Sequence, residues 1–97
     1  MNKLYDQAVE LLEKLIKIPS FSTEEKLTAD CIESFLNDHE VFTIRKYNNI
    51  WCYNKYFDPS KPIILLNSHH DTVQPNDQYN NDPFVPLIKD GKLYGLG

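Results

Sequence analysis

The chain has no basic face. Ten Lys and Arg stand against fourteen Asp and Glu, and the ten are scattered along the sequence. A net charge of -4 leaves no surface that would release counterions from phosphates, which excludes a nucleic-acid partner. No apolar run approaches the ~18 residues that a membrane helix needs. The opening residues 1–6 run straight into an acidic amphipathic pattern without a charged-then-apolar leader. The expectation is a protein with no membrane partner in a cytoplasmic, reducing compartment. Cysteine is scarce as well. Cys31 falls on a predicted helix face and Cys52 inside a predicted strand, so both are expected to be reduced, buried thiols rather than a disulfide framework. There is no internal repeat, low-complexity tract or domain linker. With 97 residues, 41% hydrophobic and 25% charged, the chain is at most one small soluble globular unit.

Leu4, Ala8, Leu11, Leu15 and Ile18, widened by Tyr5, Leu12 and Ile16, follow the 3.6-residue period and predict a first helix that Pro19 stops. Ser22-Thr23-Glu24-Glu25 has the form of a capping box. It precedes the stripe Leu27, Cys31 and Phe35, flanked by Ile32 and Leu36, and the second helix is predicted over residues 23–37. Residues 41–46 and 50–57 read as strands joined by a tight turn at Tyr47-Asn48-Asn49, followed by a connector at 58–62. Residues 74–83 are too polar and proline-broken for regular structure, which marks a functional loop. Residues 84–94 read as two short extended pieces around an Asp90-Gly91 turn, and residues 95–97 as a glycine-rich turn.

The most informative stretch is Ile63-Ile64-Leu65-Leu66-Asn67-Ser68-His69-His70-Asp71-Thr72-Val73. Four aliphatics after Pro62 predict a strand buried on both faces, and such strands present functional side chains at their carboxyl ends. Residues two apart in an extended chain face the same way. His69 and Asp71 therefore share a face, where the carboxylate accepts a hydrogen bond from one imidazole nitrogen and leaves the other for a metal. His70 is expected on the opposite face and not as a ligand. His39 reads as a solvated residue, and Asp82, before Pro83, as a turn former.

Ser68-His69-His70-Asp71-Thr72-Val73-Gln74-Pro75, then Asp82-Pro83-Phe84-x-Pro86, then Asp90-Gly91-Lys92-Leu93-Tyr94-Gly95-Leu96-Gly97 resemble, in order and spacing, the amino-terminal signature of one enzyme family. These are the zinc-dependent deacylases and exopeptidases that include acetylornithine deacetylase, succinyl-diaminopimelate desuccinylase, aminoacylase and tripeptidase. Leu15-Ile16-x-Ile18-Pro19-Ser20-x-Ser22-x-x-Glu25 looks like that family's opening. Asn49-x-Trp51-Cys52 and the 64–69 strand look most like the acetylornithine deacetylase type, which deacylates an arginine precursor. Ser68 stands where a glycine is usual, and Tyr79 where a tryptophan is common.

The resemblance implies that His69 is a zinc ligand and that Asp71 is the catalytic-site carboxylate that orients it. It implies an α/β fold in which residues 1–97 are the amino-terminal part of a three-layer catalytic domain with a mixed sheet, truncated and lacking the small dimerisation domain. The family's cofactor is a pair of zinc ions, for which cobalt can substitute. Its substrate is a small N-acyl amino acid, its reaction is hydrolysis of the amide, and the parent protein is expected to be a homodimer. In the family a metal-bridging aspartate, a glutamate pair and further ligands follow the glycine turn, so this chain alone, with one matched histidine, is expected to be inactive. The alternatives are a desuccinylase or a dipeptidase or aminopeptidase of the same family, and, from another class, a non-catalytic α/β binding fragment.

Overall fold

The computed structural model describes residues 2–96. Two helices come first, α1 (Lys3–Ile16) and α2 (Lys26–Asp38), followed by β1 (Ile44–Lys46), β2 (Asn49–Trp51), β3 (Leu87–Lys89) and β4 (Lys92–Tyr94). The four strands form two separate antiparallel hairpins, β1 with β2 and β3 with β4. The α/β character is as expected. The mixed sheet and the three layers are not formed among the described residues, because each hairpin takes its partner locally and no strand runs alongside another hairpin.

Asn2 caps α1 by accepting the Leu4 amide on Oδ1 at 2.8 Å. The helix ends at Ile16, short of Pro19, as expected for a residue that restricts the backbone before it. α2 starts three residues later than its capping box predicts. The backbone carbonyl of Ser20 accepts the Thr72 amide at 2.8 Å, and Phe21 makes an isolated parallel bridge with Thr72. This draws residues 20–22 toward the later segment, and the chain then turns back with Thr23 at φ 72. A left-handed Thr23 cannot open a helix, and the N-cap position falls to Glu25, which makes no side-chain cap bond. The far end of α2 closes as a Schellman motif. The Val41 amide bonds Leu36 O at 2.9 Å and the Glu40 amide bonds Asn37 O at 3.0 Å, with Glu40 at φ 60 in the place that usually takes glycine. His39 is exposed, as expected, and its ring also packs on Phe35 at 4.3 Å while its Nδ1 lies 2.7 Å from Phe35 O.

The first hairpin turns on two residues rather than three, since Lys46 pairs with Asn49 and Tyr47 takes φ 56. Its second strand stops at Trp51 instead of running to residue 57. A turn at 54–57, with Phe57 N bonded to Asn54 O at 2.8 Å, brings the Tyr53 and Phe57 rings to 4.5 Å. Cys52 is therefore exposed rather than buried in a strand, and Cys31 is half-buried; both thiols are free. Arg45 ties this hairpin to α2, donating from Nη1 to Asp30 at 2.6 Å and Glu33 at 3.2 Å. The Arg45 guanidinium, then Lys26, holds the Asp30 carboxyl below the usual aspartate range. The second hairpin turns on Asp90 (φ 54) and Gly91 (φ 73), two left-handed residues that match the strand twist. The loop at 74–83 is irregular as expected, and Asp82 accepts the Phe84 amide at 3.0 Å as a turn former. The glycine-rich turn read at 95–97 ends on Gly97, which lies outside the described residues.

The largest departure is the apolar run. Residues 63–66 form no regular structure and pair with no strand, and Leu66 is 91% exposed. Aliphatic composition favours an extended chain but cannot supply a neighbour to complete the ladder. The radius of gyration is 15.4 Å, against about 12.5 Å for a compact domain of this length. Ser20, Thr28 and Ala29 are the buried residues among those described. They gather where α2, the turn after α1 and residues 70–72 meet, directly behind the His-His-Asp segment.

Candidate metal-ligand site

The side chains of residues 69–71 alternate. His69 is 80% exposed and Asp71 37%, and they lie together on the open side. The His69 Nδ1 is 2.8 Å from Asp71 Oδ1 and 3.1 Å from the Asp71 carbonyl oxygen. A carboxylate and a carbonyl only accept, so Nδ1–H is the donor and the neutral ring carries its lone pair on Nε2. That nitrogen faces solvent, fixed in direction by its partner, which is the arrangement a metal-binding imidazole requires. Two open hollows flank the pair. One of about 200 Å³ is walled by Leu12, Leu15, Ile18 and Phe84, and the other, of about 460 Å³, by Phe21, Val73 and Gln74.

His70 points the other way. Its Nδ1 lies 2.7 Å from Thr28 Oγ1 on α2, its Nε2 lies 3.1 Å from Asn48 O in the first hairpin's turn, and its carbonyl accepts the Ser20 hydroxyl at 2.9 Å. One residue thus joins three parts of the chain. Sequence reasoning missed Thr28 and Asn48 entirely, because a helix-face threonine and a turn asparagine carry no signal of a partner 42 and 22 residues away. Ser20 stands out in the sequence only as part of an opening motif.

The donor set fits one coordination position. An imidazole with its lone pair outward suits zinc, and a carboxylate holds it. Among the described residues no group of three or more His, Cys, Asp or Glu is placed to hold a metal ion. A catalytic zinc site takes about three protein ligands, more than His69 and Asp71 provide. No helix among the described residues is long and apolar enough to cross a membrane.

No family model matches the chain. It is similar to succinyl-diaminopimelate desuccinylases of several bacteria. With that of a Nitratiruptor species it is 29% identical over 93 residues, covering 94% of this chain and 25% of the relative. With that of a Sulfurovum species it is 32% identical over 91 residues, covering 92% and 24%. With that of Delftia acidovorans it is 31% identical over 104 residues, covering 94% and 26%. The similarity therefore takes in nearly all of this chain, while the chain spans about a quarter of the length of the curated relatives it matches.

Proposed function

We propose that the chain is a segment of the catalytic domain of a zinc-dependent amidohydrolase that cleaves the acyl group from an N-acylated amino acid. The observation that carries this reading is the His69–Asp71 contact, which leaves a directed Nε2 lone pair at the edge of two open hollows. His69 would hold one zinc ion through Nε2. Asp71 keeps the ring in the Nδ1–H tautomer and fixes its aim. Bound zinc lowers the pKa of a coordinated water and polarises the scissile carbonyl. In the net reaction water adds its oxygen to the acyl carbon, the C–N bond breaks, and the amine leaves with a proton. On this reading the remaining ligands, the general base and a dimerisation domain that makes the parent a cytoplasmic homodimer would come from the rest of a protein of the relatives' length, of which this chain spans about a quarter.

The relatives described are named for desuccinylation, which supports an N-succinyl substrate such as N-succinyl-diaminopimelate over the N-acetylornithine that the motifs alone suggest. Assay of the longer protein that carries this chain decides between them. The expected result is faster turnover of the N-succinyl substrate by kcat/KM. A preference for N-acetylornithine restores the first reading, and hydrolysis of neither N-acyl amino acid overturns the proposal.

A further inference from the structure

The hydrogen bonds around His70 fix where its proton sits. Asn48 O only accepts, so His70 Nε2 carries the hydrogen at that contact. The neutral ring then has its lone pair on Nδ1, and Thr28 Oγ1–H is the donor across 2.7 Å. The Nε2–H at Asn48 O is what directs the Thr28 proton to His70. Thr28 has one hydroxyl proton, so donating it to His70 Nδ1 is at the expense of its other acceptor, Glu25 O at 3.0 Å, which keeps the Ala29 amide at 3.0 Å as an ordinary helix bond. Adjacent histidines therefore hold opposite tautomers: Nδ1–H on His69, Nε2–H on His70.

The two rings are also mechanically linked. A rotation of the backbone that moved His70 off Thr28 would swing His69 and Asp71 as well, since alternate side chains of one extended segment turn together. Ser20 holds the backbone on either side, through its hydroxyl to His70 O at 2.9 Å and its carbonyl to the Thr72 amide at 2.8 Å. Thr28 and Ser20 are among the most buried residues described, and His69 is among the exposed. The rigid part of this segment is its back.

We propose that His70 is a positioning residue for the metal-ligand pair: clamped between the Thr28 hydroxyl and the Asn48 carbonyl, it sets the orientation in which His69 Nε2 and Asp71 are presented together. The inference rests on the metal-ligand reading of His69, and the test separates the two. Ring-nitrogen NMR of the ¹⁵N-labelled 97-residue chain, carrying Leu65→Lys in every sample to limit association through the exposed 63–66 run, reports each tautomer at mildly alkaline pH, and zinc chloride titration reports the response of His69 Nε2. Expected in this chain, otherwise unaltered, are Nε2–H on His70 and Nδ1–H on His69. Thr28→Val keeps the side-chain shape and removes the donor. It is expected to lower the Nδ1–H population of His69 and to weaken its zinc response about tenfold, the scale of lost orienting contacts. Thr28→Ser is expected to restore both. The proposal is overturned by Nδ1–H on His70 in the unaltered chain, by a Thr28→Val variant whose His69 tautomer and zinc response do not change, or by Thr28→Ser failing as Thr28→Val does. If Thr28→Val unfolds, the tautomer of the unaltered chain and the Thr28→Ser result still decide. If zinc leaves His69 Nε2 unmoved in the unaltered chain, the metal reading fails, and the positioning role is judged on the His69 tautomer alone.

Discussion

His69→Ala, made in the longer enzyme proposed above, is expected to lose one zinc ion per chain and nearly all turnover, because it removes the imidazole whose Nε2 is aimed outward by the Asp71 contact. Asp71→Asn should act more gently. It keeps the shape beside His69 Nδ1, at 2.8 Å, but replaces a charged acceptor with a neutral one. Lost orienting contacts of this kind cost about 10 to 100-fold in metal affinity or activity. His70→Ala leaves both groups in place and cuts the bonds to Thr28 and Asn48. It is expected to weaken zinc binding without abolishing it. Zinc content and turnover measured on the three variants side by side check the order. A His70→Ala protein stripped of metal beside a His69→Ala protein that retains it would reverse the assignment.

The isolated chain is expected to associate rather than remain a stable monomer. Ile63, Ile64, Leu65 and Leu66 are 66%, 86%, 80% and 91% exposed, and these strand-favouring residues pair with no strand among the described residues. An exposed, uncharged aliphatic strand is a template for pairing with another chain, and the small buried cluster of Ser20, Thr28 and Ala29 makes a poor counterweight. Sedimentation should show concentration-dependent association that Leu65→Lys reduces, and heating should give a broad transition. A monomer with one cooperative unfolding transition typical of small domains would contradict this.

The elements that sequence reasoning placed well are those set by neighbours a few residues away. The stripe of Leu4, Leu11 and Leu15 places α1, and Asp90-Gly91 sets the second hairpin, because the needed contacts and φ values are local. The His69–Asp71 contact was legible for the same reason, being a matter of two-residue alternation. Long-range ties were not. The start of α2 moved because Ser20 and Phe21 bond to Thr72, and that contact leaves no mark at Ser22 or Thr23. The 63–66 strand failed in the opposite sense: its pattern specifies burial, and no pattern within 97 residues supplies the elements to bury it. His70 does turn away from the site as alternation expects, but its clamp depends on Thr28 and Asn48, which alternation cannot identify.

The central claim is that this chain carries one prepared zinc ligand, His69 with Asp71, and not a complete site. Zinc titration of the purified chain, followed at the ring nitrogens and by calorimetry, tests it directly. The expected result is a single weak response at His69 Nε2, none at His70, and no hydrolysis of N-succinyl or N-acetyl amino acids. Tight binding of two zinc ions per chain, metal bound at His70 instead, or measurable deacylation by the chain alone would contradict it.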